Sequence, residues 1–340
     1  MTKRFVVTLS GSSVYGGDIS SYQSPPETPK EIVYPSLAQV WHFSYVKAGE
    51  GYTTSYPAPV FQRQVAGLTQ AGVDVGAYHY YHTEYPASVQ ATYFYNRCMA
   101  LTSGSLVLPP ACDIEDTDTI HPMPIDTAAN YKLALPVARK TMAGIRDYLK
   151  AVSDKFGRLP LWYCGDWYVG WMIDAQIIAG DDISWMDQYT KWIASYTKGF
   201  CYVSSRWTPT IWQYTSSGVI VPGISCYVWS ATQQKYIVSG SSSDVDCNVF
   251  IGDLSQYNNW KETGAIAPPV PVITGSYIVN DVTGLNVRTG PGIEYAKLRA
   301  IQYKSEVIGY EIKPDTLGQN WLRINPTLQE WVDMLYLSKL

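Results

Sequence analysis

The chain of 340 residues is poor in charge, with Asp, Glu, Lys and Arg at 16% against roughly a quarter in an average soluble protein. Its net charge is −4, and no basic run exceeds two residues. Nucleic acid and an anionic membrane surface are therefore not expected as partners, because both need clustered Lys and Arg. No stretch approaches the ~20 apolar residues that span a bilayer. The N-terminus carries Lys3 and Arg4, but the apolar run Phe5 to Leu9 is shorter than the roughly 7–15 residues of a secretory h-region, so no export signal is expected. The six cysteines (Cys98, Cys112, Cys164, Cys201, Cys226, Cys247) form no CxxC pair and read as buried thiols, neither a disulfide framework nor a zinc site. His42, His79, His82 and His121 have no metal-like grouping, and neither metal nor cofactor is expected. Phenylalanine is scarce too, at 7 residues against 28 Tyr and 12 Trp. Rings with a polar edge suit carbohydrate, whose C–H faces stack while its hydroxyls hydrogen-bond, although each ring serves equally well as a core filler.

A proline-rich stretch, Ala265–Pro271 (AIAPPVP), reads as a semi-rigid connector. It sets the expected domains at 1–262, a linker at 263–272 and a small module at 273–340. In the larger part, candidate strands at Val14–Ile19, Ala38–Lys47, Val73–Tyr80, Ser105–Asp113, Leu159–Cys164, Lys191–Ser195, Thr210–Tyr214 and Val245–Phe250 alternate early on with helical patterns at Pro59–Ala71, Ser88–Leu101 and Asp126–Phe156. Alternation of this kind predicts βα units around a parallel sheet, and eight strands predict a (β/α) barrel. The expected fold class is thus α/β: an irregular TIM-like barrel followed by a small all-β barrel. Weak helical pattern between the later strands predicts the irregular side, and Ser225–Ser243 reads as an insertion.

Four acids fall at or beside candidate strand ends: Asp18, Asp113, Glu115 and Asp246. The C-terminal ends of barrel strands converge on one face, where active sites are built, and the first and eighth strands are neighbours once a barrel closes. Asp113 and Glu115, two residues apart on extended chain, leave the same face about 6–7 Å apart. Glycoside hydrolysis needs such a group, with one carboxyl kept protonated and others ionised, and crowded like charges themselves raise a pKa. A divalent-metal site is the alternative use of the same oxygens.

Eight motifs carry a resemblance, in order: GGDISSYQ (Gly16–Gln23), VKAGEG (Val46–Gly51), GAYHYY (Gly76–Tyr81), ACDIE (Ala111–Glu115), PLWYCGDWY (Pro160–Tyr168), KWIASY (Lys191–Tyr196), IWQYTSSGVIVPGI (Ile211–Ile224) and VDCNVF (Val245–Phe250). The segment from Gly16 to about Trp260 resembles the glycoside hydrolase family 25 lysozymes, the Chalaropsis-type muramidases. The resemblance implies a flattened barrel that hydrolyses, with retention, the β-1,4 bond between N-acetylmuramic acid and N-acetylglucosamine in bacterial peptidoglycan. It implies Glu115 as general acid/base with Asp113, Asp18 and Asp246 around the reacting sugar, and sugar contacts from Lys47, Glu50, Tyr78, Tyr163 and Gln213. Gly49 stands where the family has threonine, and a looser loop around Glu50 is expected from it. His79 is expected to pack or hydrogen-bond within the barrel mouth.

GLNVRTGPGIEY (Gly284–Tyr295) with QNWLRINPTLQEWVDMLYLS (Gln319–Ser338) resembles a bacterial SH3 domain, which implies cell-wall binding. Tyr295, Trp321 and Tyr336 are its candidate binding face, and Trp331 is expected in its core. A wall-binding tail on a muramidase without an export signal suits a phage endolysin, made in the host cytoplasm, released by a holin and monomeric; a virion-associated lysin and a bacterial autolysin are the other settings for it. A wall-binding protein without activity and an N-acetylglucosaminidase are the alternatives.

Overall fold

The computed structural model describes residues 2–6, 13–24, 32–52, 56–102, 104–115, 127–165, 168, 170–196, 200–204, 207, 209–217, 219–224, 227–238, 245–264, 275–325 and 330–340. The chain divides into two compact units, Met1–Ile266 and Ala267–Leu340.

The first unit is built on a closed barrel of eight strands: β1 (Val14–Ile19), β2 (Phe43–Glu50), β3 (Asp74–Tyr80), β4 (Ala111–Asp113), β5 (Leu161–Gly165), β6 (Lys191–Ala194), β7 (Ile211–Thr215) and β8 (Asp246–Phe250). Strands β1 to β6 each pair in parallel with the next. The eighth breaks the expected parallel pattern, running antiparallel to both β7 and β1. Helices α1 (Tyr34–Leu37), α2 (Ala58–Gln70), α3 (Ala87–Thr102), α4 (Ala128–Phe156) and α5 (Gly170–Ala179) follow β1 to β5 in turn. No helix is described between β6 and β8; instead Phe200–Ser204 pairs with Thr2–Val6, and Tyr227–Ser230 with Lys235–Val238, in two small two-stranded antiparallel sheets. The expected insertion thus contains a hairpin in its described part.

Aromatic side chains fill the barrel. Phe43, Tyr45, Tyr163, Trp192, Phe250, Tyr257 and Trp260 share one buried cluster inside it with Val14, Leu161 and Ile211. A second cluster lies between strands and helices and includes Trp162, Trp212, Phe61, Phe94 and Tyr148. Most tryptophans of the sequence are core residues, so the aromatic excess reports packing before it reports sugar. Helix α6 (Leu254–Thr263) closes the end of the barrel opposite the strand C-termini. Asp253 caps it in a reciprocal capping box with Gln256, and Gly264 ends it in the left-handed region, where glycine carries no Cβ penalty. Its Tyr257 and Trp260 pack on Phe250, and the Tyr257 hydroxyl and Lys261 both donate to Asp74 Oδ2 at 2.9 Å.

Strand β4 is far shorter than the expected Ser105–Asp113, because Pro109 and Pro110 have no N–H for a ladder. Strand β2 starts at Phe43, later than expected, since residues 38–40 turn out of α1. The tail of the expected linker and the whole of Ala265–Pro271 lie outside the described residues, as do the side chains of Cys201 and Cys226. Cys98, Cys112, Cys164 and Cys247 are buried thiols.

The second unit contains two small antiparallel sheets. One orders Glu306–Gly309, Gly275–Val279 and Leu337–Lys339; the other orders Lys297–Ile301, Leu285–Arg288, Trp331–Asp333, Asn320–Arg323 and Glu311–Pro314. Tyr277, Val279, Leu285, Val287, Leu322 and Val332 form its core.

Gly76 tests the barrel packing. A Cβ built there would lie 2.3 Å from Tyr45 Cε1, and Tyr45 is fully buried with its hydroxyl on the Pro109 carbonyl at 3.0 Å. Gly76→Ala is expected to lower unfolding free energy by about 1–3 kcal/mol, measured by chemical denaturation, as overpacked cores do.

Candidate active site

All four acids sit at one end of the barrel. Asp18 is the penultimate residue of β1, Asp113 the last of β4, and Glu115 lies two residues beyond β4. Asp246 is the first residue of β8, yet the reversed direction of that strand carries it to the same end and sets it opposite Asp18 in the ladder. Asp113 stands between Tyr80 and Tyr163 of the adjoining strands. The Ile114 N–H donates to the Tyr163 carbonyl at 2.9 Å, which extends the pairing toward Glu115.

Burial dominates the electrostatics. Asp18 and Asp113 are each 6% exposed. Burial pushes Asp18 well above the usual carboxylate range; the neighbouring Asp246 adds to this, and hydrogen bonds from Asn248 and Gln213 oppose it. Burial likewise raises Asp113, with the Glu115 charge adding to the rise and Lys47 opposing it. Glu115 is pushed up to about 7, first by burial and then by Asp246, again against Lys47. Asp246 is raised to about 6 by burial, moderated by a hydrogen bond with Asp18. Asp113 Oδ1 is buried and has no hydrogen-bond partner among the described residues.

Around the acids stand the residues singled out by motif. Lys47 is mostly buried; its Nζ lies 2.7 Å from Glu50 Oε2, 5.6 Å from the Tyr56 ring centre and 5.4 Å from that of Tyr80. The Tyr163 hydroxyl donates to Gln213 Oε1 at 3.0 Å, and Gln213 Nε2 donates to Asp18 Oδ2 at 2.9 Å. Tyr78 is half-buried and faces Asp18, Asp113 and Asp246, so that burial and then the Asp18 charge raise its hydroxyl pKa. The fold therefore brings Lys47, Tyr78, Tyr163 and Gln213 to the acids and ties Glu50 to them through Lys47. Gly49 lies where the pairing of β2 with β3 shifts register, and a Cβ there would lie 2.8 Å from Tyr93 Cε1, so the glycine is seated against that ring. His79 is fully buried: its Nε2 donates to the Gly51 carbonyl at 2.8 Å, its Nδ1 hydrogen-bonds with the Tyr148 hydroxyl at 2.7 Å, and burial lowers its pKa to about 3. A carbonyl can only accept, so the proton sits on Nε2 and the imidazole is neutral.

Several residues of the site escaped the sequence reading. Asn248 Nδ2 donates to Asp18 Oδ2 at 2.7 Å, Trp192 Nε1 donates to Asn248 Oδ1 at 2.7 Å, and the Tyr196 hydroxyl donates to Gln213 Oε1 at 2.7 Å. Asn248 follows Asp246 by two on a strand, and that spacing was the available signal. Outward from Tyr80 runs a chain of rings, to His82 at 5.1 Å, Tyr85 at 5.7 Å and the half-exposed Tyr52 at 4.9 Å. Among the described residues no group of three or more His, Cys, Asp or Glu is placed to hold a metal ion.

In the second unit, Tyr295 and Tyr336 are 41% and 39% exposed, whereas Trp321 is 2% exposed. Trp321 fills the interior with its indole N–H on Asp315 Oδ2 at 3.1 Å, so it offers no binding face. Trp331 is buried, as expected. Tyr295 lines a hollow of about 620 Å³ with Gly290, Glu294, Lys313, Asp315 and Trp331.

A barrel with clustered, partly protonated carboxyls at its mouth is the build of a glycoside hydrolase. The chain belongs to glycosyl hydrolases family 25, whose sequence profile matches residues 17–224. Its fold is similar to a bacterial lysozyme from Streptomyces coelicolor, with a TM-score of 0.53 and 23% identity over 75% of this chain and 100% of that one. The spore cortex lytic enzyme SleM of Clostridium perfringens gives a TM-score of 0.52 and 16% identity over 98% of this chain and all of its own. The catalytic domain of endolysin ply40, from bacteriophage P40 of Listeria monocytogenes, gives 0.47 and 20% over 75% of this chain and all of that one. A comparison with curated proteins finds no match.

Holding these acids in the barrel has a stability cost with a definite pH dependence. For Glu115 the folded pKa of about 7 exceeds the ordinary 4.5, so its contribution is fully present below about 4.5 and is lost as pH rises through 7. Glu115→Gln is expected to raise the thermal midpoint at pH 8, by the equivalent of about 1–3 kcal/mol, and to change it little at pH 4. Melting curves of both proteins at the two pH values check this.

Proposed function

We propose that the protein is a lysozyme of the N-acetylmuramidase type, cutting the β-1,4 bond between N-acetylmuramic acid and N-acetylglucosamine in bacterial peptidoglycan with retention. The observation that carries the reading is the gathering of Glu115 with Asp113, Asp18 and Asp246 at the barrel mouth, where burial pushes the Glu115 carboxyl up to about 7. Family membership supports the substrate class.

In this reading Glu115 gives its proton to the glycosidic oxygen as that bond breaks. The carbonyl oxygen of the sugar's own acetamido group attacks the anomeric carbon and forms the new C–O bond. Water then attacks the same carbon, Glu115 takes its proton, and the acetamido group is restored, which retains configuration. Asp113 orients the acetamido group: its unpartnered Oδ1 is a ready acceptor for the acetamido N–H. That bond favours ionised Asp113, which leaves the proton of the pair on Glu115. Asp18 and Asp246 stabilise positive charge at the anomeric carbon. Lys47, Glu50, Tyr78, Tyr163 and Gln213 serve as sugar contacts, and the rings from Tyr80 out to Tyr52 offer stacking surface beyond them.

The second unit is read as a bacterial SH3-like wall-binding module joined through a proline-rich linker, with Tyr295 and Tyr336 on its binding surface. Such a tail raises the local concentration of wall at the enzyme. The pairing suits a monomeric phage endolysin freed by a holin to lyse its host.

Two measurements test this. Purified peptidoglycan digested by wild type, then reduced with borohydride, is expected to show new reduced muramic acid ends by mass spectrometry, and Glu115→Gln to lose at least ~10³-fold in rate. Reduced glucosamine ends would instead make it a glucosaminidase, and equal silence from both proteins would leave a binding protein. Tyr295→Ala is expected to weaken co-sedimentation with cell walls about tenfold, as loss of an aromatic anchor does.

A further inference from the structure

The carboxyl of Asp18 is held on one of its two oxygens. Oδ2 accepts from Gln213 Nε2 at 2.9 Å and from Asn248 Nδ2 at 2.7 Å. The Asn248 amide cannot turn round, because its Oδ1 accepts at 2.7 Å from the Trp192 indole, a group that only donates. Gln213 is oriented less strictly, since the Tyr163 and Tyr196 hydroxyls on its Oε1 are able to accept as well as donate. The unambiguous lock is therefore Trp192 on Asn248. All of these groups except Tyr196 are buried, so no water competes for the amide. With two N–H groups on Oδ2, a proton on Asp18 has only Oδ1 to occupy. Asp246, opposite in the ladder, is the hydrogen-bond partner left for it.

We propose that Trp192 and Asn248 are positioning residues that set the charge state of Asp18. The indole fixes the amide, the amide keeps Oδ2 free of a proton, and any proton of the Asp18–Asp246 pair is confined between the two carboxyls. The catalytic consequence rests on the muramidase reading above; the electrostatic arrangement does not. Other groups facing Asp18 are Glu115 and Asp113 from the end of β4, Tyr78 from β3, Tyr163 from β5, Tyr196 beyond β6 and Cys247 from β8. Lys47 acts on Asp113 and Glu115. None of these supplies a donor that replaces Asn248 on Oδ2.

Trp192→Phe keeps a ring against Tyr45 and Tyr163 and removes the N–H. Asn248→Leu keeps the amide's volume and removes both its donor and its acceptor. In full-length protein labelled with ¹³C at the Asp carboxyls, the Asp18 signal, identified by its loss in Asp18→Asn, is expected to titrate about one pH unit higher in either variant, the rise that follows from losing a donor to the ionised form. The acid limb of kcat/KM should move up with it, kcat should fall about tenfold and KM should stay within about twofold. In the wild type, the Trp192 indole N–H signal should itself titrate with the Asp18 midpoint, and this reading needs no variant to fold. An Asp18 midpoint unchanged in a variant with wild-type melting behaviour, or an indole signal flat across that midpoint, overturns the proposal. A shifted midpoint in a variant, together with a wild type that releases no sugar ends, would uphold the charge-setting role and reject the muramidase reading.

Discussion

The chemistry at the barrel mouth depends on the direction of a single strand. Asp246 opens β8, and were β8 parallel to its neighbours this residue would lie at the far end, about 13 Å down the strand from the other acids. Running antiparallel to both β7 and β1, it meets Asp18 directly. The same reversal sends the chain out of the barrel at the opposite end, where Phe250 passes straight into α6 and its Tyr257 and Trp260 seal the floor. One change of direction thus completes the acid group and closes the core beneath it.

Placing four carboxyls in so dry a mouth opposes folding, because each prefers water when ionised. The structure offsets this by packing. Trp192 fills space against Tyr45 and Tyr163 and also donates to Asn248, so one side chain joins the core to the site. His79 plays a similar part to one side: neutral and stacked on Phe94, it ties the Gly51 carbonyl to Tyr148 and so anchors the chain just after Glu50. Neither residue acts on substrate in the proposed chemistry, yet the geometry of those that do rests on both.

Sequence periodicity located most of the barrel. Strand β1 matches its expected span residue for residue, and α2, α3 and α4 are within two residues at each end, because amphipathic pattern and caps are local properties. Strand direction is not local: alternation reads the same both ways, so the reversal of β8 was invisible although its neighbourhood to β1 followed from closure. Helix α5 was missed because it is apolar on nearly every side and shows no periodic face. The four acids were legible as residues at strand ends. Their tuning was not, since an amide two positions along β8 and an indole on β6 reach Asp18 only through the closed barrel.

The two halves of the mouth are tuned by different means, and the difference suits what the proposed mechanism asks of each half. Lys47, pinned by Glu50 and lying over Tyr56 and Tyr80, lowers both Asp113 and Glu115. A point charge acts through space on every group near it and cannot choose one oxygen over another. It therefore eases ionisation of that pair as a whole while leaving the location of its proton free to respond to substrate. Among the described residues no cation acts on the Asp18–Asp246 side. It has amide donors, which act at hydrogen-bond range on one named oxygen and impose a fixed direction. In the proposed mechanism, a proton that must move belongs on the first kind of site, and a charge that must stay in place while positive charge develops at the sugar belongs on the second.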